Sequence, residues 1–144
     1  MNFELPHIPK RTTIPREGGL TMVMDKGLSI NEAKNMIAAS SKHIDIVKLG
    51  FGTAYITEDL EEKIKLYSDA GFKVYFGGTL FEAFIARDMF DEFVELVTKF
   101  KLNTVEVSDG SIELDHDKKC EYIRILSEKV TVLSEIGSKS ADVL

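Results

Sequence analysis

Five short apolar, β-rich runs punctuate this chain: Leu20 to Met24, Ile44 to Leu49, Phe72 to Phe76, Thr104 to Val107 and Val130 to Ile136. The stretches between them carry helical periodicity. That alternation constrains the fold more than any other feature, because parallel strands need a long crossover, usually a helix, to join them. Ser29-Ile30-Asn31-Glu32 is a capping-box pattern opening a helix with Ala33, Met36 and Ile37 on one face. Leu60, Ile64 and Tyr67 repeat at i, i+4, i+7, and Gly71 follows as a C-cap. Phe93, Val97 and Phe100 mark a third helix, and Ile123 with Leu126 a fourth. The order strand, helix, strand predicts βαβ units, a parallel sheet and the α/β class.

Punctuation separates an arm from a body. The three prolines, Pro6, Pro9 and Pro15, all fall early, so residues 1–17 read as an extended N-terminal arm and 18–144 as the folded body. With 18 basic against 24 acidic side chains the net charge is −6. Phosphate backbones need a basic face, so a general nucleic-acid binder is not expected. No apolar run reaches the ~18–20 residues of a membrane helix, so no membrane association is expected. The start, MNFELPHIPKRTTIPREGG, lacks the apolar core of a secretory signal. The single cysteine, Cys120, can form neither an internal disulfide nor a cysteine zinc cluster, and a cytoplasmic location is the expectation.

Glycines crowd one end of every run. Gly27, Gly50, Gly52, Gly77, Gly78, Gly110 and Gly137 follow strands, whereas Gly18, Gly19 and Gly71 precede them. The carboxyl edge of a parallel sheet is where ligands bind in open sheets and barrels alike, although βα turns use glycine for their own geometry as well. Polar residues collect on the same edge: Asp25-Lys26, Lys48, Thr53, Thr79 and Glu82, Glu106, Ser108-Asp109, Glu135 and Lys139. A charge inside a strand buried on both faces is costly unless paired or coordinated, which singles out Lys48, Glu106 and Glu135.

Each of these has a plainer reading. Lys48 and Glu106 could form a structural ion pair, Thr79-x-x-Glu82 a capping box, and Ser108-Asp109-Gly110 an ordinary turn. His7, His43 and His116 are scattered and suggest no histidine site. There is no G-x-x-x-x-G-K-[ST] loop, and Tyr55 breaks any G-x-G-x-x-G begun at Gly50. A receiver-like domain would need an acidic residue where Gly77-Gly78 ends the third strand.

Five motifs, in order, resemble the phosphosulfolactate synthase (ComA) family: DKG at 25–27, VKLGFGT at 47–53, KVYFGGTLFE at 73–82, VEVSDG at 105–110 and SEIGSK at 134–139. The resemblance implies a (β/α)8 TIM barrel and a C–S bond-forming lyase. Such an enzyme adds sulfite to phosphoenolpyruvate with Mg²⁺, giving phosphosulfolactate for coenzyme M or a related sulfonate. Its partners would be these small anionic substrates. It further implies Lys139 as general acid, Lys48 and Lys26 as neutralisers of substrate charge, and Glu106, Glu82 and Asp25 as Mg²⁺ ligands. Glu135 and Asp109 are further ligand candidates. Mg²⁺ usually takes one or two carboxylates, so not all five would touch it at once. Gly50, Gly52, Thr53, Gly77, Gly78, Thr79, Ser108, Asp109 and Glu135 are the implied substrate-binding residues. The family also holds heat-stress-associated plant relatives not known as synthases, so a non-catalytic relative or an inactive barrel fragment is the alternative.

Strand starts recur about every 25–31 residues, near the ~31 expected when ~250 residues make eight units. The chain is therefore expected to hold the first five strands and four helices of a barrel, without the C-terminal portion. A truncated or cleaved form is favoured over a gene fragment or a self-associating partial barrel. Exposed edges of strands 1 and 5 would make a homo-oligomer plausible.

Overall fold

The computed structural model describes residues 3, 5–137 and 139. Its regular elements run β1 (Met22–Asp25), α1 (Ile30–Ser40), β2 (Ile46–Leu49), α2 (Leu60–Asp69), β3 (Lys73–Phe76), α3 (Gly78–Ile85), α4 (Phe90–Lys99), β4 (Thr104–Val107), α5 (His116–Ser127) and β5 (Thr131–Ser134). Single 3₁₀ turns at Ser41–His43 and Thr53–Tyr55 fill two connections. All ladders are parallel. Strands β1, β2 and β3 form one sheet in that order, and β4 pairs with β5. The two sheets meet where β3 lies beside β4. The architecture is thus a mixed α/β fold of sequentially ordered parallel strands.

Local chemistry explains the element ends. The Ser29 side chain accepts from the Glu32 N–H while Glu32 reaches back to Ser29, completing the capping box at α1. After α2, Gly71 takes a left-handed φ of +87°, and the N–H of Phe72 bonds the Tyr67 carbonyl at 3.1 Å, so the helix closes as a glycine-terminated C-cap. Among the described residues five helices form where four are expected, because the β3–β4 crossover carries both α3 and α4. Helix α3 (GTLFEAFI) is apolar nearly all round, with Leu80, Phe81 and Glu82 buried, so no polar face marks its period. Strand β5 ends at Ser134, which puts Glu135 just beyond the strand rather than inside it.

One face of the strands packs on the helices. Val47, Val105 and Val107 are fully buried in a core shared with Tyr67 and Phe93, which continues from the first sheet to the second. Phe81 anchors it, meeting Phe93 edge-on at 5.4 Å and Tyr122 at 5.9 Å. At the opposite end of the sheet from the carboxyl edge, the arm is fastened by Arg16, whose guanidinium donates to Asp45 at 2.7 Å and to the Lys42 carbonyl at 2.8 Å. Burial would raise the Asp45 carboxyl. The Thr21 N–H and the Arg16 guanidinium outweigh that effect and hold it below the usual carboxylate range. No helix among the described residues is long and apolar enough to cross a membrane.

Because Phe81 is fully buried against two aromatic rings, Phe81→Ala should lower unfolding free energy by about 3–5 kcal/mol. Urea denaturation of the two proteins measures this, and a loss under about 1 kcal/mol would mean the ring is not the anchor described.

Candidate active site

Strand alternation sorts the edge residues onto two faces. In the parallel register Met24, Lys48 and Tyr75 share one row, while Val23, Val47 and Val74 share the next. The valine row meets the helices, so Lys48 and Tyr75 project to the other face. Glu106 holds the corresponding place in β4, between Val105 and Val107 of the core.

On that face the charges meet. Lys48 Nζ donates to Glu106 Oε1 at 2.6 Å and lies 4.0 Å from Glu135 Oε2. The Gly78 N–H, opening α3, also donates to Glu106 Oε1 at 2.7 Å, and the Tyr75 hydroxyl donates to Oε2 at 3.0 Å. One carboxylate thus ties β2, β3, β4 and the start of α3 together, with the helix N-terminus favouring its charge. Burial, reinforced by the neighbouring Glu106 charge and the bond to it, pushes the Tyr75 hydroxyl far above its ordinary pKa, so it stays a donor. Between β3 and β4 no backbone ladder forms among the described residues. Side-chain bonds do the joining there.

Glu82 extends the network. The Thr79-x-x-Glu82 capping box does not form: α3 is preceded by Gly77 as its N-cap, which offers no side-chain cap. The Glu82 carboxylate instead crosses to the end of β4, accepting from the Ser108 hydroxyl, the Gly110 N–H at 3.0 Å and the Ser111 N–H at 3.0 Å. Beyond it, Lys119 of α5 donates to Asp109 Oδ1 and to the Glu135 carbonyl, both at 2.7 Å. Lys139 bonds its N–H to the Gly110 carbonyl at 2.8 Å and lays its aliphatic stem against that glycine.

Asp25 lies elsewhere. It belongs to the helix-facing parity of β1 with Val23, and it pairs in register with the buried Leu49. Its Oδ1 accepts from the Gly27 and Leu28 N–H groups, both at 2.7 Å, and its Oδ2 from the Tyr67 hydroxyl at 2.9 Å. Lys63 Nζ sits 3.3 Å away and also donates to the Leu28 carbonyl. Burial first, then the bond to Asp25, raises the Tyr67 hydroxyl far above its ordinary range. Asp25 is fully buried, and its bonds to the Gly27 and Leu28 N–H groups hold the β1–α1 turn. Among the described residues no three His, Cys, Asp or Glu side chains come together where they could hold a metal ion.

The remaining expected residues line the rim. Lys26 is exposed, its ammonium 5.4 Å over the Phe51 ring. Gly50, Gly52 and Thr53 form the turn after β2, and the Thr53 hydroxyl bonds the Gly50 carbonyl at 2.8 Å. The Gly77 N–H bonds the Leu49 carbonyl at 2.9 Å, and Thr79 stands in the first turn of α3. Ser138, within the fifth motif, lies outside the described residues. Tyr75, Lys63, Tyr67, Lys119 and Ser111 are not among the residues expected from sequence. A signal existed for the two lysines: Lys63 adjoins the Leu60/Ile64/Tyr67 stripe, and Lys119 falls at the helical spacing of Ile123 and Leu126.

Fold and site together define an α/β protein whose parallel strands carry a charged, glycine-rich carboxyl edge. Residues 9–143 match the family model of (2R)-phospho-3-sulfolactate synthase (ComA), and the chain belongs to that family. It is 39% identical over 142 residues to the phosphosulfolactate synthase of Bacillus subtilis (strain 168), covering 99% of this chain and 56% of that protein. It is 34% identical over 137 residues to the phosphosulfolactate synthase of Methanothermobacter thermautotrophicus, covering 93% of this chain and 53% of the relative. Against the Methanocaldococcus jannaschii phosphosulfolactate synthase it is 40% identical over 127 residues, 86% of this chain and 51% of that protein. The chain therefore spans about half the length of these curated relatives.

Gly78 shows how closely the network is packed. A Cβ there would stand 2.6 Å from Ser108 Cβ and 2.9 Å from Glu106 Oε1. Gly78→Ala should therefore cost about 1–3 kcal/mol by overpacking, measured as a lowered urea midpoint. An unchanged midpoint would show that β4 does not approach α3 as described.

Proposed function

We propose that these residues form part of a phosphosulfolactate synthase, in which sulfite adds to phosphoenolpyruvate, and that the parallel strands belong to a (β/α)8 barrel. The observation that carries the reading is the Lys48–Glu106 pair, set on the carboxyl edge with Glu135 4.0 Å from the same ammonium. Both reactants are anions, and their approach requires fixed positive charge in a site where bulk water does not screen it. Lys48 supplies that charge. Its side chain is only 13% exposed and is held in place by Glu106. Lys26, exposed at the rim, adds a second positive charge where the substrates enter.

The reaction needs one bond to sulfur and one proton. The sulfur lone pair attacks the methylene carbon, and the displaced π pair moves toward the carboxylate. A proton then reaches the carbon bearing phosphate. Lys139 is the proposed donor, a lysine ammonium acting as general acid and recovering its proton from water. Glu82 and Glu106 act here as orienting groups. Each already accepts three protein donors.

The implied Mg²⁺ needs only one or two carboxylates beside water and substrate oxygens. Glu135, whose side chain is 39% exposed beside Lys48, and Asp109, at 28%, suit it better than the buried Asp25 or Glu82. When bound, the ion would supply Lewis-acid stabilisation of charge developing on the substrate carboxylate.

The test is sulfite-dependent loss of phosphoenolpyruvate, followed with and without Mg²⁺ in the protein containing this chain. Turnover that needs sulfite is expected, with kcat reduced about 10²-fold or more in Lys139→Ala. Unchanged turnover in Lys139→Ala removes the general-acid role, and no sulfite-dependent loss from the unmodified protein removes the synthase reading.

A further inference from the structure

We propose that Lys119 is a positioning residue that sets the catalytic geometry of the β4 and β5 ends, an inference that rests on the synthase reading for its catalytic consequence. Lys119 stands on α5, outside the carboxyl edge, and is only 7% exposed. Its ammonium makes two 2.7 Å bonds to two different strand ends, to the Asp109 carboxylate after β4 and to the Glu135 carbonyl after β5. An ammonium withdrawn from water is costly unless paired and hydrogen-bonded, and these bonds are what offset its burial.

The two segments it joins carry the residues assigned to chemistry. Asp109 precedes Gly110, whose carbonyl accepts the Lys139 N–H and whose missing side chain admits the Lys139 stem. Glu135 follows β5, with its N–H on the Val107 carbonyl and its carboxylate 4.0 Å from Lys48 Nζ. Lys119 therefore fixes the spacing between the turn on which Lys139 rests and the carbonyl of the residue whose side chain faces Lys48. Lys63 does the same elsewhere, bonding the Leu28 carbonyl beside Asp25 in the β1–α1 turn that bears Lys26. In both cases a lysine from the apolar stripe of a helix bridges a strand-end aspartate and a loop carbonyl. The recurrence marks a device for holding rim loops that lack a ladder of their own.

The test is amide hydrogen exchange on Lys119→Met and Lys119→Arg, with turnover measured in the protein containing this chain. In Lys119→Met, exchange at Glu135 and Lys139 should accelerate about tenfold while the β1–β3 amides stay within about twofold. Lys119→Arg, which keeps charge and donors, should return most of that protection. Asp109→Asn, a milder change, should give the same selective pattern at smaller size, which keeps the test decisive if Lys119→Met does not fold. Where the unmodified protein turns over, kcat of Lys119→Met should fall about tenfold with KM nearly constant, and recover in Lys119→Arg. Unchanged exchange at Glu135 and Lys139, or equal acceleration across all five strands, overturns the positioning role. Selective acceleration with unaltered kcat overturns its catalytic consequence. If the unmodified protein shows no turnover, the synthase reading fails on its own, and the exchange pattern alone decides what Lys119 holds.

Discussion

The Lys48–Glu106 pair is the interaction on which the carboxyl edge depends. Removing two charges from water costs several kcal/mol per ion, so such a pair persists only where further bonds saturate both partners. Glu106 meets that condition with three donors from three elements: Lys48 of β2, Tyr75 of β3 and the first N–H of α3. The same bonds cross the boundary at which the β1–β2–β3 ladder stops and the β4–β5 ladder begins. The pair accordingly has two consequences. It joins the two sheets, and it presents a fixed ammonium on the face where ligands of such folds bind.

The other two buried carboxylates repeat the pattern. Asp25, Glu82 and Glu106 each place two donors on one oxygen and at least one on the other. Backbone N–H groups supply a large share of these bonds, so the carboxylates hold loops as well as charges. Donors and cations already in place need not reorganise as charge develops, which is the preorganisation that the proposed reaction between anions would require. Glu135, Asp109 and Lys26 are the more exposed charged groups at the rim, Asp109 bonded to Lys119 and Glu135 lying 4.0 Å from Lys48.

Much of the fold is legible in the residues, for identifiable reasons. Four strands lie within their apolar runs and β1 extends one residue past its own, to Asp25; the largely buried strands β2, β3 and β4 show most clearly why, since a strand covered on both faces is nearly continuous in apolar residues. Ser29 with Glu32, and Gly71, mark helix ends whose geometry they form directly. Helix α3 is hidden because a helix buried nearly all round has no polar face to show its period. The pairing of Lys48 with Glu106 follows from two opposite charges in strands that cannot bury either alone. For Asp25 the sequence shows a position at a strand end, while only its parity shows that it turns toward Tyr67 and Lys63 of α2. Tyr75 is illegible for a different reason: an aromatic in a strand reads as core, and only its register beside Lys48 reveals the hydroxyl's role.

A double-mutant cycle on Lys48→Met and Glu106→Gln tests the central claim most directly, read as unfolding free energy by urea denaturation. Each single change should cost about 3 kcal/mol, because it strands a desolvated partner, and the double change should cost less than the sum by more than about 1 kcal/mol. Single effects near zero, or strict additivity, would show that the pair does not organise the edge.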